Sequence, residues 1–306
     1  MSTSGDADLA SLLAAGERAA FHGPPAAAVP DLERAVVLAQ REGRHAEVTA
    51  AVWLLGVALS AAGRYGAALR VLGPLLDAAA GAAPEARLFA SLAAATAASV
   101  HRGLGRHEAA QSLDETGLQL AAALDEPTFD ATLGLATDAV GLGDLDSARG
   151  RLAEAETLVA SHEAEWWRQR VRFDWTRAEV ALLADDPAEA VAAASSAVER
   201  AESARAPRHV AKGLLFLGVA EVQSGSPQAT GTLRRAATLA EGLQALPVAW
   251  QARALLGALL AGAPGEESAR SLAAARSAVL TIAADLAPEL REEWLGRPNV
   301  SALLEG

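Results

Sequence analysis

The histidine side chains are the first candidates for chemistry, since they can bind a metal ion or transfer protons near neutral pH. The chain contains six of them, His22, His45, His101, His107, His162 and His209, and no cysteine. No two have the i, i+4 spacing that places two metal ligands on one helical face. His101 and His107 are expected on either side of a turn, where polar capping of the helices is the commoner role. The sequence therefore predicts no metal site.

Three shorter motifs match parts of known catalytic or binding signatures. Residues 141–143 read Gly-Leu-Gly, but no strand precedes them, as a dinucleotide-binding loop would require. Asp144 and Asp146 match only a fragment of a calcium-binding loop. The two serines at 195–196 fall within a helical stretch and not on the sharp turn of a catalytic nucleophile. We therefore expect a protein that is not an enzyme and that binds no cofactor.

Composition narrows the class of protein and of partner. The 306 residues are 51% hydrophobic but only 4% aromatic, so alanine, leucine and valine dominate, and alanine and leucine favour helices. The formal net charge of −12 would repel the phosphates of a nucleic acid. No stretch has the pattern of a signal peptide or of a membrane-spanning segment. The sequence predicts a cytoplasmic helical protein with neither a nucleic-acid nor a membrane partner.

A turn signal recurs along the whole chain. The expected turn positions are Gly23, Gly63, Gly105, Gly143, Asp185, Gly225 and Pro264, which are 38 to 42 residues apart. Seven residues before each of them stands a small residue: Gly16, Gly56, Ala98, Ala136, Ala178, Gly218 and Gly257. Small residues let two helices pack closely, because a larger side chain would hold the backbones apart. The pattern predicts a series of helical hairpins that stack on one another to bury their apolar faces.

This pattern resembles the tetratricopeptide repeat. The family's W-x2-L-G-x2-Y and A-x3-F signature corresponds in the second copy to Val52, Leu55, Gly56, Leu59, Ala68, Leu72 and Leu75. The period exceeds the family's usual length of about 34 residues, and the longer form is similar to the helical-repeat regions of MalT-like and LuxR-type bacterial regulators. The resemblance implies an all-α, right-handed superhelical solenoid of about seven antiparallel helix hairpins with a C-terminal capping helix.

The expected boundaries follow from the turns. We expect a single domain over residues 1–306, with repeats at about 6–42, 45–82, 85–124, 127–161, 163–205, 208–244 and 247–285. Residues 286–306, which include Leu290, Trp294 and Leu304, are expected to cap the open end.

The resemblance also implies where a partner would bind, because the first helix of each hairpin in this family lines the concave groove. Counting back thirteen, ten, six and three residues from the turns gives the candidate groove positions. They include Trp53, Arg102, Asp130, Leu133, Arg172, Trp175, Glu179, Lys212 and Leu215. Tryptophan and arginine anchors are typical of protein- and peptide-binding surfaces. Alternatively, Trp53 and Trp175 only fill space between neighbouring helices.

A second candidate surface contains two adjacent tryptophans, Trp166 and Trp167. Neighbouring side chains on a helix point about 100° apart, so both rings are not expected to be fully buried. The more exposed ring is a candidate interface, for example in a homodimer. The alternative is that this segment packs on the preceding repeat.

Two functions are compatible with these features. The first is a non-catalytic scaffold that binds a protein or a peptide in its concave groove. The second is a regulatory sensor that binds a small effector or a peptide and controls a transcriptional regulator. Asn299 is the single asparagine and lies in the tail. Its position disfavours both the asparagine-mediated peptide binding and the lysine–asparagine carboxylate clamp found in this family.

Overall fold

The chain forms helices throughout the part that the structure describes. The computed structural model describes residues 8–77, 84–121, 124–162, 166–262 and 265–305. The regular elements of these ranges are 16 α-helices, and no strand occurs among them. None of these helices combines the length and the apolar character needed to cross a bilayer. The predicted all-α class is confirmed.

The helix bounds follow the predicted repeats closely. The helices are α1 (Leu9–His22), α2 (Pro25–Arg41), α3 (His45–Ala61), α4 (Tyr65–Asp77), α5 (Pro84–Gly103), α6 (His107–Ala121), α7 (Asp125–Leu142), α8 (Leu145–Ala160), α9 (Trp167–Leu183), α10 (Pro187–Ser203), α11 (Pro207–Gln223), α12 (Ala229–Gly242), α13 (Leu246–Leu259), α14 (Glu267–Asp285), α15 (Pro288–Leu295) and α16 (Pro298–Glu305).

Helices α1 to α14 pair into seven hairpins, each made of an odd-numbered helix and the even-numbered helix that follows it. Every odd-numbered helix up to α11 also contacts the next odd-numbered helix. The odd-numbered helices therefore form one continuous layer, and the even-numbered helices pack against it. This is the predicted solenoid of helix hairpins. That it makes up a single domain over residues 1–306 stays a prediction.

The turns inside the hairpins depend on left-handed backbone conformation. Four of the predicted turn glycines have a positive φ between 70° and 82°: Gly63, Gly105, Gly143 and Gly225. Asp185 takes the same conformation with φ 56°, and the next residue, Asp186, caps α10 by accepting a hydrogen bond from the Glu189 amide. At Gly23 the backbone is extended instead, with φ −134°, before the prolines that open α2. Pro264 lies outside the described residues.

Four of the small residues predicted before the turns, all of them glycines, receive a leucine from the second helix. A Cβ added at Gly56 would lie 2.4 Å from Cδ2 of Leu72, a fully buried residue of α4. Three further glycines repeat this contact at 2.4 to 2.7 Å: Gly16 with Leu32, Gly218 with Leu233, and Gly257 with Leu272. Ala98, Ala136 and Ala178, at the equivalent positions, are fully buried. Close approach of the two helices is thus built into the first, second, sixth and seventh hairpins.

The C-terminal segment does more than cover the last hairpin. It forms two short helices, α15 and α16, instead of the single predicted cap. Trp294 is 2% exposed and meets Trp250 of α13 edge-on, with ring centroids 6.3 Å apart. The same core cluster contains Leu54 and Tyr65 of the second hairpin. The segment therefore shares one hydrophobic core with the last hairpin and with the second.

Polar contacts reinforce this closure of the superhelix. Asp285, at the end of α14, accepts a hydrogen bond from the Ala67 amide in the first turn of α4 at 2.9 Å. Glu293 of α15 forms an ion pair with Arg106, which precedes α6, at 3.1 Å. The first hairpin also reaches across the ring, since the Phe21 ring lies 5.1 Å from the Arg168 guanidinium of α9. The solenoid is closed on itself, which the sequence did not indicate.

The packing of Gly56 can be tested by adding one methyl group. Gly56→Ala is expected to lower the free energy of unfolding by about 1–3 kcal/mol, because the methyl group would overlap the buried Leu72. Urea denaturation followed by circular dichroism measures this loss. Gly150→Ala in α8 is the matched control: no heavy atom lies within 4 Å of the added Cβ, and alanine favours a helix by about 1 kcal/mol over glycine. Equal stability of the two variants would contradict the packing role of Gly56.

The closure depends on a second close approach, at Gly66 of α4. A Cβ at Gly66 would lie 1.9 Å from the Asp285 carbonyl oxygen, which is backbone and cannot rotate away. Gly66→Ala is therefore expected to separate α4 from the end of α14. The chain has no cysteine, so spin labels on Arg64→Cys and Glu289→Cys report the distance across the closure. The label distance is expected to lengthen and broaden in Gly66→Ala but not in Gly150→Ala. An unchanged distance would show that the closure does not need this contact.

Candidate ligand-binding cavity

A cavity of about 380 Å³ lies within the closed superhelix. Every odd-numbered helix from α1 to α13 contributes lining residues, and Tyr65 and His107 add to them at the starts of α4 and α6. Sites for small ligands usually measure about 300–1,000 Å³. The volume is therefore suited to a small molecule or a short peptide segment, and not to the surface of a folded partner.

Eight of the nine predicted groove residues line this cavity. They are Trp53, Arg102, Asp130, Arg172, Trp175, Glu179, Lys212 and Leu215. The prediction for Leu133 was wrong in its orientation, because Leu133 is 2% exposed and packs with Phe129, Val159 and Phe173 in a core between α7, α8 and α9. That the other eight residues bind a partner stays a prediction.

Arg102 is held by two buried carboxylates. Its Nη1 donates to Asp114 Oδ2 of α6 at 2.5 Å and to both carboxylate oxygens of Asp138 of α7 at 3.1 Å. Both carboxylates have no exposed side-chain surface. Burial raises the pKa of Asp114 well above its ordinary value and raises that of Asp138 as well. Arg102 thus ties three helices together at the cavity wall.

The two arginines of α9 are also paired. Arg172 donates from Nη1 to Asp130 Oδ1 of α7, and Arg168 donates from Nη2 to Glu126 Oε1 at 2.6 Å. Gln169 donates to the same oxygen of Glu126 at 2.8 Å. These contacts connect the fourth and fifth hairpins. The two guanidinium groups already have acceptors from the chain itself.

Both tryptophans of the predicted groove pack on neighbouring helices and line the cavity, so the two alternatives are not exclusive. Trp175 is 6% exposed and stacks on His209 of α11, with centroids 5.4 Å apart and planes 15° apart. Lys212 Nζ lies 4.7 Å from the Trp175 ring centroid and 5.5 Å from that of Phe216. Trp53 donates from Nε1 to Thr96 Oγ1 at 3.2 Å. Together these rings form an apolar wall beside the charged groups.

The start of α11 places charged and polar groups in a poorly hydrated position. Burial, followed by repulsion from Arg168 and Arg172, lowers the pKa of Arg208 to about 10. Burial likewise lowers the pKa of Lys212 to about 8, and it holds that of His209 well below its ordinary value. Glu179 of α9 attracts the Lys212 charge, and burial raises its own pKa. These shifts indicate an environment in which a further negative charge would be favourable.

Sequence reasoning missed Arg208 and His209 and did not place Arg168 in the groove. Arg168 and Arg208 each stand seventeen residues before a turn, one helical turn before Arg172 and Lys212. Extending the count back by four residues would have found both arginines, since residues four apart share a helical face.

Trp166 and Trp167 point in different directions, as predicted for adjacent helical residues. Trp166 stacks on His162, with centroids 3.9 Å apart, and its ring lies 5.6 Å from that of Phe129. Trp167 lies between His22 of α1 and His209 of α11, at 5.1 and 5.2 Å. Both rings are half-buried within the chain. Trp166 therefore packs on the preceding repeat, and the homodimer interface stays a prediction.

Within the described ranges, no group of three or more histidine, aspartate or glutamate side chains is arranged to hold a metal ion. His101 instead contacts Arg106, with Nδ1 and Nη1 3.2 Å apart. His107 lies close against the backbone of Gly141. The two histidines flank the turn between α5 and α6 and contact the chain around it.

The buried cluster around Arg102 predicts a pH-dependent loss of stability. Arg102→Met is expected to cost about 3–5 kcal/mol at neutral pH, because two buried carboxylates lose the guanidinium that they share. Both carboxyl groups have a raised pKa in the folded chain. The stability that they contribute therefore falls as the pH rises through their folded-state pKa. The loss in the variant is expected to shrink as the pH is lowered through these raised pKa values, where protonation removes the uncompensated charge.

Urea denaturation at a series of pH values measures this effect. Arg234→Met is the control, because Arg234 forms an exposed ion pair with Glu267 at 2.6 Å, and exposed pairs contribute little. A small loss in Arg102→Met, or one that does not change with pH, would contradict the role of the cluster.

Comparison with known proteins identifies the fold but not a family. No protein-family model and no curated protein sequence matches the chain. The crystal structure of a Rap protein complexed with Competence and Sporulation Factor matches with a TM-score of 0.64 and 12% identity, over 96% of this chain and 80% of that one. NprR in complex with its cognate peptide NprX matches with a TM-score of 0.53 and 15% identity, over 97% and 82%. The chain has the fold of tetratricopeptide-like helical-repeat proteins.

Proposed function

We propose that this chain is a non-catalytic binding protein whose central cavity takes a short peptide. The observation that carries the proposal is the closure of the superhelix around a cavity of about 380 Å³. Its wall combines aromatic faces with fixed charges, the mixture through which small sites obtain both affinity and orientation. A peptide segment fits such a volume, whereas a folded protein domain does not.

The structural neighbours support a peptide as the ligand. NprR is described in complex with its cognate peptide, and the Rap protein in complex with Competence and Sporulation Factor. A shared fold at these identities does not establish a shared ligand. It does show that a solenoid of this kind can hold a peptide, and the cavity of this chain gives a place for one.

The arrangement of polar groups favours binding over catalysis. Among the described residues that line the cavity, no serine or threonine hydroxyl is hydrogen-bonded to a histidine or a carboxylate. Thr96 and Thr137 instead donate to the backbone of their own helices. Activation of a nucleophile requires such a neighbouring base. The hydroxyl groups therefore act as lining and not as nucleophiles.

A second candidate function is a regulatory sensor, and the closure of the ring favours it. The superhelix that surrounds the cavity is held closed by the contact of Asp285 with Ala67 and by the ion pair of Glu293 with Arg106. Occupancy and closure are then coupled, since a ligand shifts a conformational equilibrium by its differential affinity for the two states. The resemblance to the repeat regions of MalT-like and LuxR-type regulators belongs to this candidate, with a transcriptional regulator as the controlled partner.

Filling the cavity tests the proposed function directly. Ser99 of α5 lines the cavity, and no hydrogen bond of its side chain holds it in place among the described residues. Ser99→Trp is expected to weaken peptide binding by at least about tenfold, because the indole would overlap with a peptide bound in the cavity. A tenfold loss of affinity corresponds to about 1.4 kcal/mol. The indole would occupy the same space as the ligand.

The measurement is affinity selection from a pool of short synthetic peptides, followed by mass spectrometry and by calorimetry of the selected peptides. Ser203→Trp, on the exposed side of α10, is the control and is expected to bind as the parent does. If the parent and Ser99→Trp retain the same peptides with equal affinity, the cavity is not the binding site.

A further inference from the structure

Arg208 is a charged side chain without an acceptor. It lines the cavity and is half-buried. Its Nε is fully buried and has no hydrogen-bond partner, and no ion pair involves the guanidinium in the described part of the chain. A buried charge that is neither paired nor hydrogen-bonded is costly. Such a group is expected only where something outside the chain completes it.

The surroundings of Arg208 increase this cost. The charged groups that act on it most strongly are Arg168 and Arg172, and both repel it. Their carboxylates, Glu126 and Asp130, are already engaged by these two arginines. Among the described residues, no carboxylate therefore pairs with Arg208.

Two further groups on α11 are incompletely paired, although Glu179 of α9 attracts the Lys212 charge. Lys212, one helical turn after Arg208, rests on the faces of Trp175 and Phe216 and forms no ion pair within the described residues. His209 is 2% exposed, and its Nδ1 has no hydrogen-bond partner. Arg208 and Lys212 share a helical face because they are four residues apart. Both line the cavity.

We infer that the ligand of this cavity carries a compact anionic group, a carboxylate or a phosphate, which binds against Arg208 with Lys212 beside it. This inference rests on the proposed function and names the chemistry of its ligand. A guanidinium can hold either anion through two parallel hydrogen bonds. The sequence disfavoured a lysine–asparagine clamp because the single asparagine, Asn299, lies in the tail. A site made of Arg208 and Lys212 needs no asparagine, so that argument does not apply to it.

The site explains how an acidic chain can select an anion. The whole chain carries a formal charge of −12, which repels anions at a distance, whereas a local group of cations with low-dielectric walls attracts them at close range. The depressed pKa of Arg208, about 10, and that of Lys212, about 8, are consistent with this environment, because burial lowers both and the attraction of Glu179 offsets only part of the effect at Lys212.

Thermal unfolding of the full chain with defined probes tests the inference. The probes are inorganic phosphate, compared with chloride at equal ionic strength, and two pools of N-acetylated tripeptides with uncharged side chains. One pool has a free C-terminal carboxylate, and the other is amidated. Phosphate stabilises many proteins non-specifically, so the informative quantity is the difference between variants. The variants are Arg208→Met, Arg208→Lys and the control Arg235→Met, whose side chain on α12 is 66% exposed.

Phosphate or the free-carboxylate pool is expected to raise the melting temperature of the parent and of Arg235→Met more than that of Arg208→Met. The apparent affinity of Arg208→Met is expected to fall by at least about tenfold, the effect of losing a charged hydrogen bond. Arg208→Lys is expected to retain part of the response. Without a probe, Arg208→Met is expected to melt at or above the parent temperature, since it removes an unpaired cation.

Each outcome separates this inference from the proposed function. A response to the free-carboxylate pool but not to the amidated pool supports both. A response to phosphate alone supports the anion site and points to a phosphorylated small ligand in place of a peptide. Equal responses to both pools that survive in Arg208→Met overturn the anion site and leave the peptide cavity intact. No response that depends on Arg208, or a lower melting temperature of Arg208→Met without a probe, overturns the anion site.

Discussion

The contact of a leucine with a glycine backbone is the packing constraint on which the ends of this repeat array depend. It occurs between the two helices of the first, second, sixth and seventh hairpins, as with Gly56 and Leu72 or Gly218 and Leu233. The contact sets how closely the two helices of these hairpins approach. Hairpins that stack on one another in this way produce a superhelix. The cavity is a property of that superhelix and of no single repeat.

Electrostatic pairing separates the arginines of the cavity wall into those with a structural role and one that is available to a ligand. Arg102 and Arg172 are fixed by carboxylates from neighbouring helices, so they connect hairpins and keep the wall rigid. Buried ion pairs of this kind contribute little net stability but are costly to break. Arg208 differs because its neighbours are cations. Rigid paired charges around Arg208 are a suitable arrangement for binding, since this part of the wall is formed before a ligand arrives.

Local features of this protein could be predicted from the sequence, and distant ones could not. The turns at Gly63 and Gly105 and the small positions before them were predictable because each depends on residues within one hairpin. The groove register placed eight side chains correctly on the cavity wall because the same helical period applies in each first helix. Leu133 was misplaced because a core between three helices takes up its side chain.

The closure of the superhelix could not be predicted from the sequence, for a different reason. The hydrogen bond of Asp285 to the Ala67 amide joins residues 218 positions apart. Whether these residues meet depends on the small rotation added by every hairpin between them, and no local pattern encodes that sum. The sequence pattern therefore indicated an open groove with a cap, where the structure has a ring.

The ring has a consequence for how this protein can change over evolution. An open solenoid tolerates the gain or loss of a whole repeat, since each unit contacts only its neighbours. Here the partners of Asp285 and Glu293 lie in the second and third hairpins, and one hairpin more or less between these partners and the last hairpin would carry them out of reach. The number of hairpins between the contacting residues is thus fixed by geometry.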